Sequence, residues 1–191
     1  MKALLGLVII IILIIVLGIV VILYGIGTYN GFIKMRNKID EAFATMDVYL
    51  KKRWDLVPNL VNTVKGYAEH EKSTLEMVTA MRKQSYDNMT QEEKIAANKD
   101  LSAGLGRLIA TAEAYPDLKA NDQFLQLSKQ LNDIETDIAQ SRKYFNACVR
   151  EMNTKVDTFP SNIIAGLFHF KKRGMFEVDD DSERENVKIE F

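Results

Sequence analysis

The sequence opens with a long, uninterrupted apolar run. No charged residue occurs between Ala3 and Ile33, and residues 4–24 are almost all Leu, Ile, Val or Gly. Because a helix rises about 1.5 Å per residue, roughly 20 such residues span a hydrocarbon core about 30 Å thick. A cleaved signal peptide has a shorter apolar region of roughly 7–15 residues followed by a small-residue cleavage site, and the run here has neither feature. We predict a retained transmembrane anchor over residues 1–28, which contacts the lipid bilayer through residues 4–24.

Apolar residues continue beyond the anchor at spacings of three and four, which place them on one face of a helix. This stripe consists of Phe32, Met35, Ile39, Phe43, Met46, Leu50, Trp54, Val57, Leu60, Val64 and Tyr67. It starts almost where the anchor ends, so we expect one helix to leave the membrane without a flexible linker. Pro58 lies within the stripe, and an interior proline costs about 3 kcal/mol because it removes a backbone hydrogen bond and clashes with the preceding turn. We expect the helix to kink or restart at residues 54–58.

A further helix is predicted to start at Thr90. Thr90 and Glu93 have the spacing of a capping box, in which each side chain binds the other residue's backbone N–H. The apolar positions that follow are Ile95, Leu101, Leu105, Leu108 and Ala112. Pro116 is expected to end this helix, and Asn121 or Asp122 to cap the next one.

Two other segments also have a helical period. The shorter one contains Leu75, Val78 and Met81, and the longer one runs from residue 124 to residue 159. Residues 162–170 form a short apolar piece that packs either on the other helices or on lipid. Residues 171–191 are acidic, and we predict a mobile tail there.

Together, these patterns predict an all-α fold, with an N-terminal transmembrane helix followed by a long antiparallel three- or four-helix up-and-down bundle. The bundle is expected to occupy residues 29–170, between the anchor and the tail. At about 25 cal/mol per Å² of buried apolar area, stripes of this length hold a bundle together without a metal or a disulfide. Such a fold carries no chemistry by itself, so function has to be argued from particular side chains.

Composition excludes several classes of function. Lys and Arg number 25 against 26 Asp and Glu, whereas nucleic-acid-binding proteins usually carry a basic excess. Cys148 is the single cysteine, which excludes an intrachain disulfide and a Cys-rich zinc site. It lies at helical spacing between Phe145 and Met152, as expected of a buried and unreactive thiol. We predict no nucleic-acid partner and no small-molecule substrate.

No metal or cofactor site is predicted either. His70 and Glu71 resemble the start of an H-E-x-x-H motif, but the second histidine is missing, and a catalytic zinc usually needs three protein ligands. Neither His70 nor His169 stands three residues after a glutamate, as a di-metal site in a helical bundle requires. Gly104 and Gly106 are interpreted as places where helices pack closely, because the lysine of a phosphate-binding loop is absent.

The polar residues around Pro58 are the strongest candidates for a site. Asp55, Asn59 and Asn62 share one face of the predicted helix, with Arg53 and Lys65 beside them. Three interpretations stay open: a solvated face, a polar network that fixes the register of neighbouring helices, or a recognition surface for a protein or for lipid headgroups. In the second interpretation, the polar residues around Pro58 reach across the bundle to bind Glu113, Tyr115 and Asp117. We expect Arg53 to pair with one of the two carboxylates in that group.

The stretch that holds this polar set, RWDLVPNLVNTVKGYAEHE at residues 53–71, resembles the R-x-DLVPNLV-x-TVKGYA-x-HE signature of the LemA family of bacterial membrane proteins. The resemblance extends to AEAYPDLKAN (112–121), RKYFNACVREMN (142–153), TFPSNIIAG (158–166) and the ending MFEVDDDSERENVKIEF. Resemblance to this family implies an N-terminal membrane anchor and a long antiparallel helical domain, in agreement with the hydrophobic pattern. It implies no catalytic activity, cofactor or substrate.

These observations predict a non-enzymatic, membrane-tethered helical scaffold or adaptor of the bacterial cell envelope, which binds a protein partner or a second copy of itself. The alternative is a signalling or envelope-stress module that transmits a conformational change at the membrane. In that case a kink at Pro58 would supply the two-state element that such a switch needs.

The side of the membrane on which the domain lies is suggested by two opposing signals. Lys2 precedes the anchor and Lys34, Arg36 and Lys38 follow it, a slight bias towards a cytoplasmic domain. Some LemA-family members carry a lipoprotein cysteine just before the domain, which places the domain outside the cytoplasm. The matching stretch here, GIGTYN, has no cysteine. We expect a single-pass protein of the bacterial cell membrane and favour an extracytoplasmic domain.

Overall fold

The computed structural model describes residues 1–68, 71–80 and 85–176. Within these ranges all regular secondary structure is helical, and a long apolar helix comes first, which confirms the predicted all-α class. The helices are α1 (Lys2–Lys65), α2 (Lys72–Ala80), α3 (Gln91–Glu113), α4 (Pro116–Lys119), α5 (Asp122–Asp157) and α6 (Ser161–Leu167). A single 3-10 turn, Tyr86–Asn88, precedes α3.

The chain packs as two compact units. Unit 1 contains residues 1–42 and 144–175, and unit 2 contains residues 43–143 together with Phe176. Helices α1 and α5 each contribute to both units.

Helix α1 extends over 64 residues without interruption. Its predicted apolar stripe is largely confirmed, because eight members are buried: Phe32, Ile39, Met46, Leu50, Trp54, Val57, Leu60 and Val64. Tyr67 lies beyond the end of α1 and is 43% exposed. Pro58 lies inside α1, so of the two outcomes expected there the restart is wrong, and the kink stays a prediction. Burial of Val57 and Leu60 on either side of the proline offsets its local cost of about 3 kcal/mol.

In unit 1, α1 runs antiparallel to the last part of α5. Lys38 binds Glu151 at 3.2 Å. The Lys155 amine lies over the ring of Phe32, which is closer to the start of α1, at 5.3 Å from the ring centre. Earlier residues of α1 therefore contact later residues of α5, as expected of two antiparallel helices. The buried apolar residues that these two helices contribute include Phe32, Ile39, Phe145, Cys148, Val149 and Met152. The predicted burial of Cys148 is confirmed.

Helix α6 ends in a Schellman motif, in which a left-handed residue lets two N–H groups bind the last carbonyls of the helix. His169 has φ 58°, its N–H donates to Gly166 O at 3.3 Å, and the N–H of Phe170 donates to Ala165 O at 2.9 Å. The reversal places the Phe170 ring on Phe32, with centroids 4.6 Å apart.

In unit 2, contacts give the direction of each helix. Arg53 on α1 binds Glu135 on α5, and Tyr67 binds Asn121 just before α5 begins, so α1 and α5 are antiparallel. Asp47 binds Lys94 on α3, and Arg53 binds Ser102 further along α3, so α1 and α3 are parallel. The chain between them, which includes α2, returns in the opposite direction. This order confirms the predicted up-and-down bundle.

Two predicted helix starts are confirmed at the level of their caps. Thr90 and Glu93 form the full capping box, with Thr90 N–H donating to Glu93 at 2.7 Å and Glu93 N–H donating to Thr90 at 3.2 Å. Asn121 caps α5 by accepting the N–H of Phe124 at 2.9 Å. Gly104 is buried, but a Cβ at Gly106 would meet open space, so the close-packing interpretation is wrong for Gly106.

The first residues of the predicted tail are held against α5. The N–H of Arg173 donates to Asn153 Oδ1 at 2.8 Å, and Asn153 Nδ2 donates to the Arg173 carbonyl at 2.9 Å. Phe176 is 7% exposed. The predictions for His70, for Met81 and for residues 177–191 lie outside the described residues.

Candidate functional site

The centre of the polar cluster in unit 2 is the Arg53 side chain, which is 3% exposed. Its Nη1 donates to Glu135 at 2.7 and 2.9 Å and to Ser102 Oγ at 2.8 Å. Its Nη2 donates to the backbone carbonyl of Asn98 at 2.8 Å and to Asn98 Oδ1 at 3.1 Å. Among the described residues no partner binds the buried Nε. One side chain of α1 is thus bound to both α3 and α5.

Asn98, which is 0% exposed, extends the cluster towards the start of α3. Its Nδ2 donates to the Lys94 carbonyl at 2.9 Å and, more weakly, to the Tyr86 hydroxyl at 3.4 Å. Tyr86 in turn donates to Asp47 at 2.7 Å, and the Lys94 amine binds the other oxygen of that carboxylate at 2.7 Å. We call Asp47, Arg53, Tyr86, Lys94, Asn98, Ser102 and Glu135 the polar network.

Tyr86 has a clearly shifted pKa. Burial raises the pKa of this phenol above its ordinary value, and the hydrogen bond to Asp47 raises it further. The ring is 3% exposed and lies 5.4 Å from the Trp54 ring. A phenol with a raised pKa stays protonated at neutral pH and acts as a hydrogen-bond donor. The geometry therefore suits binding between the helices of unit 2 better than base catalysis.

The polar residues predicted around Pro58 separate into two groups. Arg53 points inward and joins the polar network. The others are exposed: Asp55, Asn59, Asn62 and Lys65. Asp55 pairs with Lys51 one turn earlier on α1, at 3.5 Å, and the Asn59 carbonyl accepts the Thr63 hydroxyl at 2.8 Å.

The second predicted polar stretch does not bind Arg53. Glu113 and Asp117 are exposed, and Tyr115 donates to Glu71 at 3.5 Å. The prediction that Arg53 pairs with a carboxylate on a neighbouring helix is right in kind, but the choice of Glu113 or Asp117 is wrong. Arg53 binds Ser102 on α3, and Glu113 lies about 16 Å further along that helix, at 1.5 Å per residue. Glu113 is therefore out of reach of the Arg53 side chain.

Sequence reasoning missed most of the polar network. A usable signal was present on α3, where Lys94, Asn98 and Ser102 recur at a spacing of four and so form one polar row. This row lies beside the apolar positions Leu101 and Leu105, which are buried. A polar row next to a core stripe is where a satisfied buried network is expected. Nothing local marks Glu135, which depends on the alignment of α5.

No group of three or more His, Cys, Asp and Glu side chains suited to a metal ion occurs in the ranges that the structure describes. Cys148 is 3% exposed and lies in the core of unit 1. A thiol in apolar surroundings is inert rather than nucleophilic.

The anchor is the other functional feature, and it belongs to unit 1. The N-terminal part of α1 is long and apolar enough to cross a membrane, and none of its most apolar window is buried. Leu4, Leu17 and Leu23 are each between 63% and 69% exposed. Exposed apolar side chains over this length are stable in lipid, not in water, so this chain is a membrane-associated protein.

Comparison with known proteins identifies the family. A sequence model of the LemA family matches residues 42–191. Protein LemA of Metamycoplasma hominis is 26% identical over 178 residues, which cover 93% of this chain and 80% of that protein. Magnetosome protein MamQ of Magnetospirillum gryphiswaldense is 24% identical over 170 residues, covering 75% of this chain and 62% of that protein.

A further relative is magnetosome protein MamQ 1 of Paramagnetospirillum magneticum, which is 23% identical over 175 residues, 78% of this chain and 64% of that protein. The chain thus spans less than two thirds of the length of these two magnetosome proteins. None of these three relatives is named as an enzyme. With a family match that covers most of the chain, this protein belongs to the LemA family.

Proposed function

We propose that this protein is a non-enzymatic, membrane-tethered helical scaffold or adaptor of the bacterial cell envelope. The observation that carries the proposal is the continuity of α1, which passes from a fully exposed apolar segment into the packed part of unit 1 without a break. A helix that continues directly from the membrane holds the residues after it at a defined distance from the bilayer, whereas a flexible linker would not.

The polar network supports a rigid surface rather than a reaction centre. Arg53 joins three helices of unit 2 through charge-assisted hydrogen bonds of 2.7–2.9 Å to Glu135, and such bonds are about twice as strong as neutral ones. A buried network of this kind fixes the register of the helices that it joins. A fixed register is what a docking surface on those helices requires.

Asp55, Asn59 and Asn62, which we call the polar ridge, are the residues that we assign to a protein partner. They lie on α1 at spacings of four and three, so they share one face of the helix, and all three are exposed. Arg53 lies on the same helix and binds α3 and α5, so it holds α1 in place relative to those helices. The partner is either another envelope protein or a second copy of this chain.

The test is site-specific photo-crosslinking in cells that make the full-length protein. A photoreactive phenylalanine at Asn59 or Asn62 should give a recurrent product of one mass, identified by mass spectrometry. Asn132 is a matched control, because it too is an exposed helical asparagine whose carbonyl accepts a threonine hydroxyl four residues on, at 2.9 Å. Asn132 should not give the product.

Charge reversal provides the second arm of this test. Asp55→Lys should abolish the product formed from Asn59, while the free energy of unfolding stays within about 0.5 kcal/mol of the parent, as is usual for exposed positions. If Asn59, Asn62 and Asn132 all give the same pattern of products, the polar ridge is not a partner surface and the proposal fails.

The signalling alternative receives no support from Pro58. It depends on a kink there that acts as a two-state element, whereas α1 continues through Pro58 as one helix and does not restart. Replacing Pro58 with Ala should therefore leave any envelope-stress output unchanged.

We also propose that the helical domain lies outside the cytoplasm. Gln126 is exposed on α5, and Cys148 is buried. The variant Gln126→Cys should react with a membrane-impermeant maleimide in spheroplasts, without permeabilisation. Reaction only after permeabilisation would place the domain in the cytoplasm and would leave the scaffold proposal intact.

A further inference from the structure

The chain that follows α5 exposes an unusual number of large apolar side chains. Phe159, Ile163, Leu167 and Phe168 are 79%, 60%, 67% and 51% exposed. Ile163 and Leu167 are four residues apart on α6 and so point the same way, while Ala165 faces inward and is 2% exposed. We call these four exposed residues the α6 face. Water is a poor environment for large apolar side chains grouped so closely along the chain, and exposed apolar groups of this kind usually mark an interaction site.

The position of the α6 face along α1 is fixed by contacts within unit 1. Ile164 lies against Gly25: its Cδ1 atom is 3.6 Å from the position that a Cβ atom on Gly25 would occupy. The ring centroids of Phe168 and Tyr29 are 4.7 Å apart. The run that contacts the bilayer ends at Tyr24, so these contacts are between about 1.5 and 8 Å beyond it, at 1.5 Å per residue. That distance is the headgroup region of a bilayer.

The composition of this region matches what the headgroup region favours. Residues 24 and 29 are both tyrosines, and tyrosine is enriched at the boundary between lipid and water. Lys171 and Lys172 follow directly and are exposed, and lysines extend from an apolar surface towards lipid phosphates. The pair that Lys172 forms with Asp157 is 2.6 Å long and more than half exposed on both sides, so it leaves the lysine open to solvent.

We propose that the α6 face is a second membrane contact, which lies in the surface of the same bilayer that α1 crosses. The apolar side chains enter the boundary between headgroups and acyl chains, as the apolar face of an interfacial helix does. Lipid is the favoured occupant because Ile164, the neighbour of Ile163 on α6, lies against Gly25, which stands between the exposed apolar residues Tyr24 and Ile26 of α1. The contact would hold unit 1 at two points and so limit its tilt relative to the membrane. It rests on the membrane anchor and not on the polar ridge.

Accessibility of spin labels tests this directly in the full-length protein, reconstituted in vesicles of phosphatidylcholine and phosphatidylglycerol. Nitroxides are attached to Ile163→Cys, Leu167→Cys and the control Tyr144→Cys, each made with Cys148→Ala. Tyr144 is 52% exposed in the same unit and lies near Lys38, about 21 Å beyond Tyr24 along α1. Oxygen, which partitions into lipid, and a nickel chelate, which stays in water, report the environment of each label.

The ratio of oxygen to nickel collisions should be several-fold higher at residues 163 and 167 than at residue 144. Equal ratios at the three positions would place the α6 face in water and overturn the proposal. Low collision rates with both reagents at 163 and 167 would show a face covered by protein, and would overturn it as well. Leu167→Trp and Tyr144→Trp give an independent reading through quenching by brominated lipid, which should affect only the former. Partner crosslinking from Asn59 is a separate outcome, so the two proposals fail separately.

Discussion

Truncation of Glu135 should destabilise unit 2 more than truncation of Arg53, although Arg53 is the more buried of the two. Glu135→Ala leaves a guanidinium that is 3% exposed without its counter-charge, and arginine does not lose its proton in proteins. Arg53→Met leaves a carboxylate whose side chain is 41% exposed and which therefore regains contact with water.

The contacts of Arg53 set the size of each effect. Removal of one partner from a buried ion pair costs about 3–5 kcal/mol. Asn98 and Ser102 still accept from both terminal nitrogens of Arg53, so we expect the low end, about 3 kcal/mol, for Glu135→Ala. Arg53→Met removes a donor from Asn98 Oδ1, which is buried, and an orphaned buried acceptor costs about 1–3 kcal/mol. We expect about 2 kcal/mol for that variant.

The double variant discriminates most sharply. Arg53→Met with Glu135→Ala holds no buried charge, so it should cost about as much as Arg53→Met alone, near 2 kcal/mol, instead of the additive 5 kcal/mol or so. The resulting coupling of about 3 kcal/mol is at the upper end for residues in direct contact.

Urea unfolding of the full-length protein in detergent micelles measures these free energies, and urea leaves ion pairs unscreened because it is uncharged. Trp54 is the sole tryptophan of the sequence, is 3% exposed and lies beside Tyr86, so its fluorescence reports on the polar network. Glu113→Ala is the control and should shift stability by no more than about 0.5 kcal/mol. Additive losses in the double variant, or a Glu135→Ala value equal to the control, would refute the reasoning.

Three further predictions concern unit 2. Tyr86→Phe removes a donor to Asp47, which Lys94 still binds, so the free energy of unfolding should fall by about 1 kcal/mol in the same urea titration; no loss would show that the hydroxyl contributes nothing. Because the pKa of Tyr86 is raised by burial above the ordinary 10.0, the folded state keeps this proton at pH values where the unfolded state loses it. Stability should therefore decline as the pH rises above 10, and less steeply in Tyr86→Phe, as thermal unfolding over a pH series would show. Thr90→Ala should cost about 1 kcal/mol and speed amide exchange in the first turn of α3, whereas Thr90→Ser should preserve the cap; equal exchange in both variants would contradict this.

Local signals predict the helices because each signal depends on residues within one or two turns. The capping box at Thr90 and the cap at Asn121 are read from neighbours three residues away. The apolar stripe of α1 depends on period alone. Pro58 shows the limit of local rules, since burial of Val57 and Leu60 keeps the helix continuous where the proline itself disfavours it.

The partner of Arg53 depends instead on how distant helices align. Glu135 is 82 residues away along the chain, and a shift of α5 by one turn would bring another side chain to the same place. The pattern of polar and apolar positions therefore does not identify the residue that Arg53 meets. The exposed polar ridge and the buried arginine look alike in sequence because both are polar positions on one helix, and only the packing of α3 and α5 separates them.

The permanent charge of Arg53 also restricts how unit 2 is able to move. Sliding α1 by one helical turn is a displacement of about 5.4 Å, and it would carry the guanidinium away from oxygens that now lie 2.7–3.1 Å from its nitrogens. Because arginine does not lose its proton in proteins, the guanidinium would have to find new acceptors after such a slide. Leaving it buried without its carboxylate would cost about 3–5 kcal/mol. We therefore expect the polar network to hold α1 in one register against α3 and α5.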